Sequence, residues 1–305
     1  MYYAIENGKV KKTQVSDMAF EDKRKYFGFI GFEQSEEILP VIKLNAKLLR
    51  ESFESASLTY ENHEGFDLIC LNILNHRSLQ AEGNRVCVYV QKDMLLFICR
   101  NVSAVAEMLH DMMQEGVSVE FDRLLSAFFE RVTAKDADRL EKIETEISNL
   151  EDALITSAKR NSVREIIHLR KRLLVLKRYY EQLLDVLDIL QENENNLLDN
   201  RSMRYFKIFS GRVDRLYHSV LNLRDYVTQV REAYQAEVDI SLNSTMKIFT
   251  VITAIFLPLS LIVGWYGMNV QMPEYKWPFG YPMVILLSVA VVVFCLVYFK
   301  KKKWF

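Results

Sequence analysis

The sequence predicts an α+β membrane protein in which a cytosolic α/β domain leads into long coiled-coil helices and then into two transmembrane helices. Three patterns predict this fold: short strand-like segments near the start, heptad spacing in the middle, and two long uncharged apolar segments near the end. We assign residues 1–118 to the α/β domain, 119–247 to a helical stalk, and 248–305 to a membrane hairpin with a basic tail.

Short apolar segments separated by polar residues are typical of strands, and they occur in the first domain. They lie at residues 57–60, 66–71, 86–90 and 95–98. Residues 91–93 suit a hairpin turn between the last two strands. Asn101 is suited to cap a helix and Gly116 to end it, so that a second helix begins after Ser118.

The stalk is predicted from apolar residues that recur at alternating steps of three and four, with charged residues outside them. Three such runs occupy residues 140–154, 166–190 and 206–234, and residues 191–201, rich in Asn and Glu, form the turn before the third run. No glycine or proline interrupts residues 212–257. The third helix can therefore continue unbroken from the stalk into the first membrane span.

The membrane hairpin consists of two uncharged segments, residues 248–268 and 281–299. A helix of that length spans about 30 Å, the thickness of the hydrocarbon core of a bilayer. The loop 269–280 joins them. Lys300 to Lys303 follow the second span, so the positive-inside rule places both termini in the cytoplasm and the loop outside. We expect a multi-pass protein of the plasma (inner) membrane, with the lipid bilayer as a partner.

The composition excludes some classes of protein. The chain has 39 lysine and arginine residues against 40 aspartate and glutamate residues. A nucleic-acid-binding protein is expected to carry an excess of basic residues, so the composition does not indicate a nucleic-acid partner. The sequence contains no Walker motif, no zinc-protease motif and no nucleophile elbow, and we expect neither an enzyme nor a cofactor. The cysteines show no close pairing, and a reducing cytosol argues against disulfides. We interpret all four as packing residues: Cys70, Cys87, Cys99 and Cys295.

The end of the first span carries the most specific motif of the chain, Tyr266-Gly267-Met268-Asn269. A Met-Pro-Glu sequence, a second span and a lysine-rich segment follow it. In this arrangement the chain resembles the CorA family of magnesium channels, closely over its last part and by layout upstream. The resemblance implies a funnel-shaped homopentamer that moves divalent cations, with magnesium as the main cargo and cobalt and nickel as further ones.

Two spans cannot enclose an ion path alone, so several copies must contribute to one pore. A helix that lines a pore presents one stripe at steps of three and four, and in this span the stripe is unusually polar. The predicted pore-lining residues are Asn243, Thr250, Thr253, Leu257, Ser260 and Gly264. The alternative is that these Ser and Thr residues satisfy backbone carbonyls or pack a helix interface, as single ones commonly do.

The motif at the external end predicts a selectivity filter of Gly267, Met268 and Asn269. Magnesium holds its water tightly, so neutral oxygens are suited to bind the hydrated ion from outside its water shell. The Asn269 side chain and the Gly267 carbonyl, repeated around an axis, would act as outer-sphere metal ligands. The alternative is an asparagine that only caps the end of the helix.

Met246 and Phe249, at the cytosolic end of the span, are predicted to form the hydrophobic gate that the resemblance implies. A ring of such side chains stops hydrated ions by dewetting, whereas the alternative is simple packing against neighbouring helices. Glu232 and Asp239 are candidates for acidic rings at the inner end, and Glu274 is a candidate at the outer mouth. For each of the three, the alternative is an ordinary surface carboxylate.

The resemblance also implies a regulatory divalent site between neighbouring cytosolic domains, built around a stalk carboxylate. Counting back from the pore reaches Ile208 at that position instead of an acid. The nearby candidates are Asp185, Asp188, Asp199 and Asp214.

Two other functions fit parts of the sequence. A zinc transporter of the same superfamily would share the architecture, but the pore stripe lacks the histidine and cysteine that zinc favours. A membrane-anchored coiled-coil scaffold or signal transducer would need only apolar spans, and the polar stripe argues against it.

Overall fold

The structure is a computed structural model that describes residues 1–6, 9–18, 24–42, 44–55, 57–74, 83–107, 121–156, 162–269 and 277–304. It divides into two compact units, Met1–Gln229 and Val230–Phe305. The boundary predicted at residue 118 lies outside the described residues. The three-part division of the chain therefore stays a prediction.

Seven strands of the described residues form one sheet in the order β2-β1-β3-β7-β6-β5-β4. The strands are β1 (Tyr2–Glu6), β2 (Lys9–Thr13), β3 (Lys25–Gly31), β4 (Thr59–His63), β5 (Phe66–Ile73), β6 (Asn84–Gln91) and β7 (Met94–Cys99). β3 and β7 are parallel, and the other neighbouring pairs are antiparallel. The four predicted strands are confirmed as β4 to β7, with the predicted turn between β6 and β7, although β4 begins two residues later than predicted.

The sequence analysis places no strand before residue 57, and β1, β2 and β3 show that this is incomplete. β2, at the edge of the sheet, is rich in lysine, and β3 contains Gly28, which ordinarily weakens a strand. The glycine is needed because a Cβ at position 28 would lie 2.8 Å from the Tyr2 ring and 2.9 Å from the Met1 carbonyl oxygen. Because Tyr2 of β1 lies directly opposite Gly28 of β3, a larger residue at position 28 would push the two strands apart.

Helices cover both faces of the sheet. On one face lie α1 (Leu39–Ile42) and α2 (Ala46–Glu54), and the Tyr89 hydroxyl of β6 donates a hydrogen bond to the Ile42 carbonyl oxygen at 3.0 Å. On the other face, Phe97 of β7 packs against Phe128 with ring centroids 4.9 Å apart. The alternation of side chains along each strand makes both contacts possible.

The remaining helices of the described residues include those that the heptad runs predict. They are α3 (described over 102–107), α4 (Phe121–Thr133), α5 (Asp136–Thr156), α6 (Ser162–Glu192), α7 (Asn200–Tyr266) and α8 (Gly280–Lys301). Asn101 caps α3 as predicted, since its Oδ1 accepts a hydrogen bond from Ala104 N at 3.4 Å. Ile143, Leu173 and Val213, one from each predicted heptad run, are fully buried. α7 continues through 67 residues, so the third stalk helix and the first span are one helix.

The turn between α6 and α7 packs against the sheet through Asn195. Its side-chain amide donates to Asp67 Oδ1 at 2.7 Å and to the His63 carbonyl oxygen at 2.8 Å. Asp67 is buried, so this contact supplies a hydrogen bond to a carboxylate that water does not reach. The predicted turn at residues 191–201 is therefore confirmed and has a structural role.

The expectation that none of the cysteines forms a disulfide is wrong for two of them. Cys70 and Cys87 form a disulfide, because the pairing of β5 with β6 places them directly opposite each other although 17 residues separate them in the chain. Cys99 is free and buried, and burial raises the pKa of its thiol to about 12. Cys99 is therefore an unreactive packing residue, as predicted.

Candidate functional site

Two helices of the described residues, α7 and α8, are long and apolar enough to span a membrane. Little of either apolar stretch is buried inside the chain. A core helix of a soluble domain would be mostly buried, so lipid or further protein is the environment that such surfaces require.

α8 covers one face of α7 within the second unit. The Cys295 thiol of α8 donates a hydrogen bond to the Ala254 carbonyl oxygen, with a sulfur–oxygen distance of 3.7 Å. Val251 lies on the same face of α7 and is 5% exposed, and Phe299, near the end of α8, is 7% exposed. These contacts fix the rotation of α7 relative to its partner helix.

The predicted pore stripe lies beside the face of α7 that carries Val251 and Ala254. At about 100° per residue, its members fall within an arc centred about 100° around the helix from that face, and its edge at Asn243 and Thr250 comes within about 40° of Ala254. Leu257 is 65% exposed, and the hydroxyl-bearing residues of the stripe are exposed as well. These residues are Thr250, Thr253 and Ser260. Within the described residues, one face of the first span is thus covered and the polar stripe is left exposed.

The two threonines of the stripe bond their own helix, as the alternative reading of such residues predicts. Thr250 Oγ1 donates to the Met246 carbonyl oxygen and Thr253 Oγ1 donates to the Phe249 carbonyl oxygen, each at 2.8 Å. A hydroxyl that donates its proton inward still has lone pairs on its oxygen. These oxygens can accept hydrogen bonds from the water shell of a cation, so the bonds are compatible with a pore-lining role.

The three-residue motif lies at the end of α7. Gly267 N donates to the Val263 carbonyl oxygen at 2.8 Å and Met268 N donates to the Trp265 carbonyl oxygen at 3.3 Å, which ends the helix in a tight turn. A Cβ at position 267 would lie 2.7 Å from the same Val263 oxygen. Glycine is therefore required locally, whatever its carbonyl binds. Asn269 follows with an exposed side chain.

The other predicted site residues in this unit are also exposed. Met246 is 64% exposed and Phe249 is 62% exposed, three residues apart and so on adjacent faces of α7. Asn243 is exposed, and a Cβ at Gly264 would have no heavy atom within 4 Å. Among the residues that the structure describes, this surface is left exposed.

The acidic candidates are separated along the chain. Glu232 and Asp239 are exposed on α7, and Glu274 lies outside the described residues. No group of three or more His, Cys, Asp or Glu side chains able to hold a metal occurs within the described ranges. Rings of such carboxylates would need contributions from further copies of the chain.

The structure gives two of the regulatory candidates other contacts. Asp199 caps the start of α7, since its Oδ1 accepts a hydrogen bond from Ser202 N at 2.7 Å, and Asp214 lies 3.6 Å from His218 Nε2. Asp185 and Asp188 are exposed on α6. Ile208 is 71% exposed on α7, so an apolar side chain occupies the surface where the resemblance implies a carboxylate.

The sequence analysis did not identify the contact between the two spans. Cys295 is correctly interpreted as a membrane packing residue, but its partner Ala254 is not singled out. The available signal is residue size, because small residues allow membrane helices to approach closely. Size alone does not say which small residue meets which helix.

Comparisons with known proteins extend the resemblance well beyond the motif. The family model described as CorA-like Mg2+ transporter protein matches residues 43–301. The cobalt/magnesium transport protein CorA of Thermotoga maritima is 28% identical over 230 residues, which cover 74% of this chain and 66% of that protein. The magnesium transport protein CorA of Escherichia coli K12 is 23% identical over 325 residues, 99% of this chain and 98% of that protein.

Solved structures show the same fold. The CorA magnesium transporter of Methanocaldococcus jannaschii matches with a TM-score of 0.82 at 21% identity, covering 100% of this chain and 99% of that one. The cytoplasmic domain of ZntB from Vibrio parahaemolyticus matches 78% of this chain and 97% of its own, with a TM-score of 0.65 at 11% identity. The full-length match confirms the predicted fold class.

Proposed function

Because the chain belongs to the family of CorA-like Mg2+ transporter proteins, we propose that it is a channel for magnesium influx driven by the membrane potential. Family membership makes it a membrane-embedded transporter of divalent cations and not an enzyme. We include cobalt and nickel as further cargo, since a hydrated ion of similar charge can pass the same neutral filter.

The observation that carries the proposal is the exposed polar stripe of α7, beside the face that α8 covers. A polar stripe is costly against lipid, and it is satisfied when several copies place it around a shared aqueous axis. We therefore propose a homo-oligomer, five copies by analogy with the family, in which α7 lines the path and α8 lies outside. The α/β domain (1–118), stalk (119–247) and membrane hairpin (248–305) would serve as its working parts.

At the external end, Asn269 and the Gly267 carbonyl supply neutral oxygens to the hydrated ion. Carboxylates would bind the bare ion tightly and slow its release, whereas amide and carbonyl oxygens accept hydrogen bonds from the water shell. The exposed Asn269 side chain supports this role. The close packing of Gly267 against Val263 would hold the filter in register with the helix.

At the cytosolic end, Met246 and Phe249 form the gate in this proposal. Both are large, apolar and exposed in the single chain, so a ring of copies would form a dewetted constriction. Glu232 and Asp239 would concentrate cations inside this constriction, and Glu274 would do so at the outer mouth. Such exposed carboxylates act weakly because salt screens them.

Permeation needs no nucleotide. Moving one elementary charge across 100 mV is worth about 2.3 kcal/mol, so a divalent ion gains about 4.6 kcal/mol. The lysines after α8 support an inner-membrane protein with both termini in the cytoplasm, because the positive-inside rule associates such residues with the cytoplasmic side. The favoured direction is therefore inward.

Metal uptake into proteoliposomes that contain the purified chain tests the proposal. We expect magnesium uptake that hexammine cobalt, a rigid mimic of hydrated magnesium, blocks from the outside. Asn269→Ala should abolish uptake while oligomer assembly is preserved, and Asn149→Ala, on the exposed face of α5, is the matched control. Uptake of zinc in preference to magnesium would favour the zinc alternative, and no uptake of any cation would contradict the proposal.

A further inference from the structure

The end of α8 carries a dense positive charge that the proposed ion path does not use. Lys300, Lys301, Lys302 and Lys303 are all exposed. Residues 240–304 contain one carboxylate, Glu274, and it belongs to the loop between the spans. A helix C-terminus favours a cation in its last turn, but four consecutive lysines exceed that requirement.

A fifth lysine lies at the same level on the neighbouring helix. The hydrogen bond between Cys295 and Ala254 sets the register of the two antiparallel helices. Lys247 precedes Ala254 by about two helical turns, and Lys302 follows Cys295 by about two turns. Both lysines therefore lie about 10 Å beyond this contact, on the same side of the hairpin.

The lysine segment is folded back onto the helix end. Trp304 N donates to the Phe299 carbonyl oxygen at 3.1 Å, and the two rings lie 5.2 Å apart. Lys303 has a φ of 56°, and Lys302 N donates to the Tyr298 carbonyl oxygen at 3.0 Å. This is a Schellman-type helix end with its usual hydrophobic contact. This helix end holds the Trp304 indole against the buried Phe299 ring and fixes the backbone of the neighbouring lysines.

We propose that Lys247 and the four lysines after α8 form a binding surface for anionic lipid headgroups of the cytoplasmic leaflet. Phosphate oxygens supply the negative charge that the spans lack, and lysines just cytoplasmic of a membrane helix are attracted to anionic lipid. Tryptophan prefers the membrane interface, so Trp304 holds these ammonium groups at headgroup depth. The inference rests on the proposed membrane orientation and not on which ion is moved.

Native mass spectrometry of the full chain, released from nanodiscs of phosphatidylcholine mixed with phosphatidylglycerol, tests this surface. We expect retained phosphatidylglycerol and a preference that falls about fivefold for each lysine replaced by glutamine. The test variants are Lys302→Gln/Lys303→Gln and the fourfold Lys→Gln change of residues 300–303. The fourfold Lys→Arg change should keep the preference. The control removes four exposed lysines of the first unit: Lys11→Gln, Lys12→Gln, Lys92→Gln and Lys142→Gln.

Equal retention of phosphatidylglycerol by the control and the Lys302→Gln/Lys303→Gln variant would overturn the proposal. The double variant keeps two lysines after the span, so it preserves an inserted protein for the measurement if the fourfold one fails to insert. Displacement of the lipid by inorganic phosphate would also overturn it, since that result identifies a site for soluble anions. Because the readout is bound lipid, its failure is distinguishable from a failure of magnesium uptake.

Discussion

Gly267→Ala is predicted to disrupt the filter through the helix end that carries it. The added Cβ would lie 2.7 Å from the Val263 carbonyl oxygen, the same atom that accepts the hydrogen bond from Gly267 N at 2.8 Å. Ordinary contacts of this kind begin near 3.4 Å, so the turn must open by about 0.7 Å. The opening lengthens or breaks that hydrogen bond and displaces Asn269, two residues further on.

The expected magnitudes follow from those distances. Loss of one backbone hydrogen bond at an exposed helix end costs about 1 kcal/mol, so the free energy of unfolding should fall only slightly. A reactive group misplaced by 1 Å costs on the order of a hundredfold in rate in enzymes, and a filter is similarly sensitive to geometry. We expect magnesium uptake to fall by at least about tenfold while the protein still folds and assembles.

Gly264→Ala, at a predicted pore-lining position, is the matched control for stability in the same helix. Apart from its own turn of helix, a Cβ at position 264 meets no heavy atom of the described residues within 4 Å, so the single chain should tolerate it without loss of stability. Thermal unfolding and magnesium-sensitive dye uptake in proteoliposomes measure both variants. Uptake by Gly267→Ala within about twofold of the unmodified chain would refute the reasoning. A loss at Gly264 with unchanged stability would indicate that a neighbouring copy or the pore axis lies against that position.

The remaining predictions concern the gate, the helix that lines the pore, and the stalk. Phe249→Ala should widen and wet the constriction and raise magnesium flux at high internal magnesium, where the unmodified channel is expected to be closed; a normally assembled variant that stays closed there would place the gate elsewhere. A cysteine at Thr253 should crosslink neighbouring copies while one at Val292 should not, and the reverse pattern would exchange the roles of α7 and α8. Asn195→Ala removes the 2.7 Å hydrogen bond to the buried carboxylate on β5 and should lower the free energy of unfolding by about 2 kcal/mol in chemical denaturation, with Asn149→Ala as the neutral control. An unchanged unfolding midpoint for Asn195→Ala would show that water replaces the amide.

Part of this site can be predicted from residue spacing alone. Steps of three and four place Thr250, Thr253 and Leu257 on one face of any α-helix, and the structure shows that face exposed. The sequence does not predict which face α8 covers, because the contact between Ala254 and Cys295 joins residues far apart in the chain. The role of the stripe in conduction stays a prediction, since it depends on further copies of the chain.

The sequence by itself determined the helical stalk, the four strands β4 to β7 and the two membrane spans. Periodicity and charge are local properties, and a helix or strand buries the face that its own residues make apolar. Only the tertiary structure decided the pairing of Cys70 with Cys87, the need for glycine at position 28 and the burial of Asp67 beneath Asn195. Each depends on the register between segments distant in sequence, and that register is set by the packing of the whole sheet rather than by any single segment.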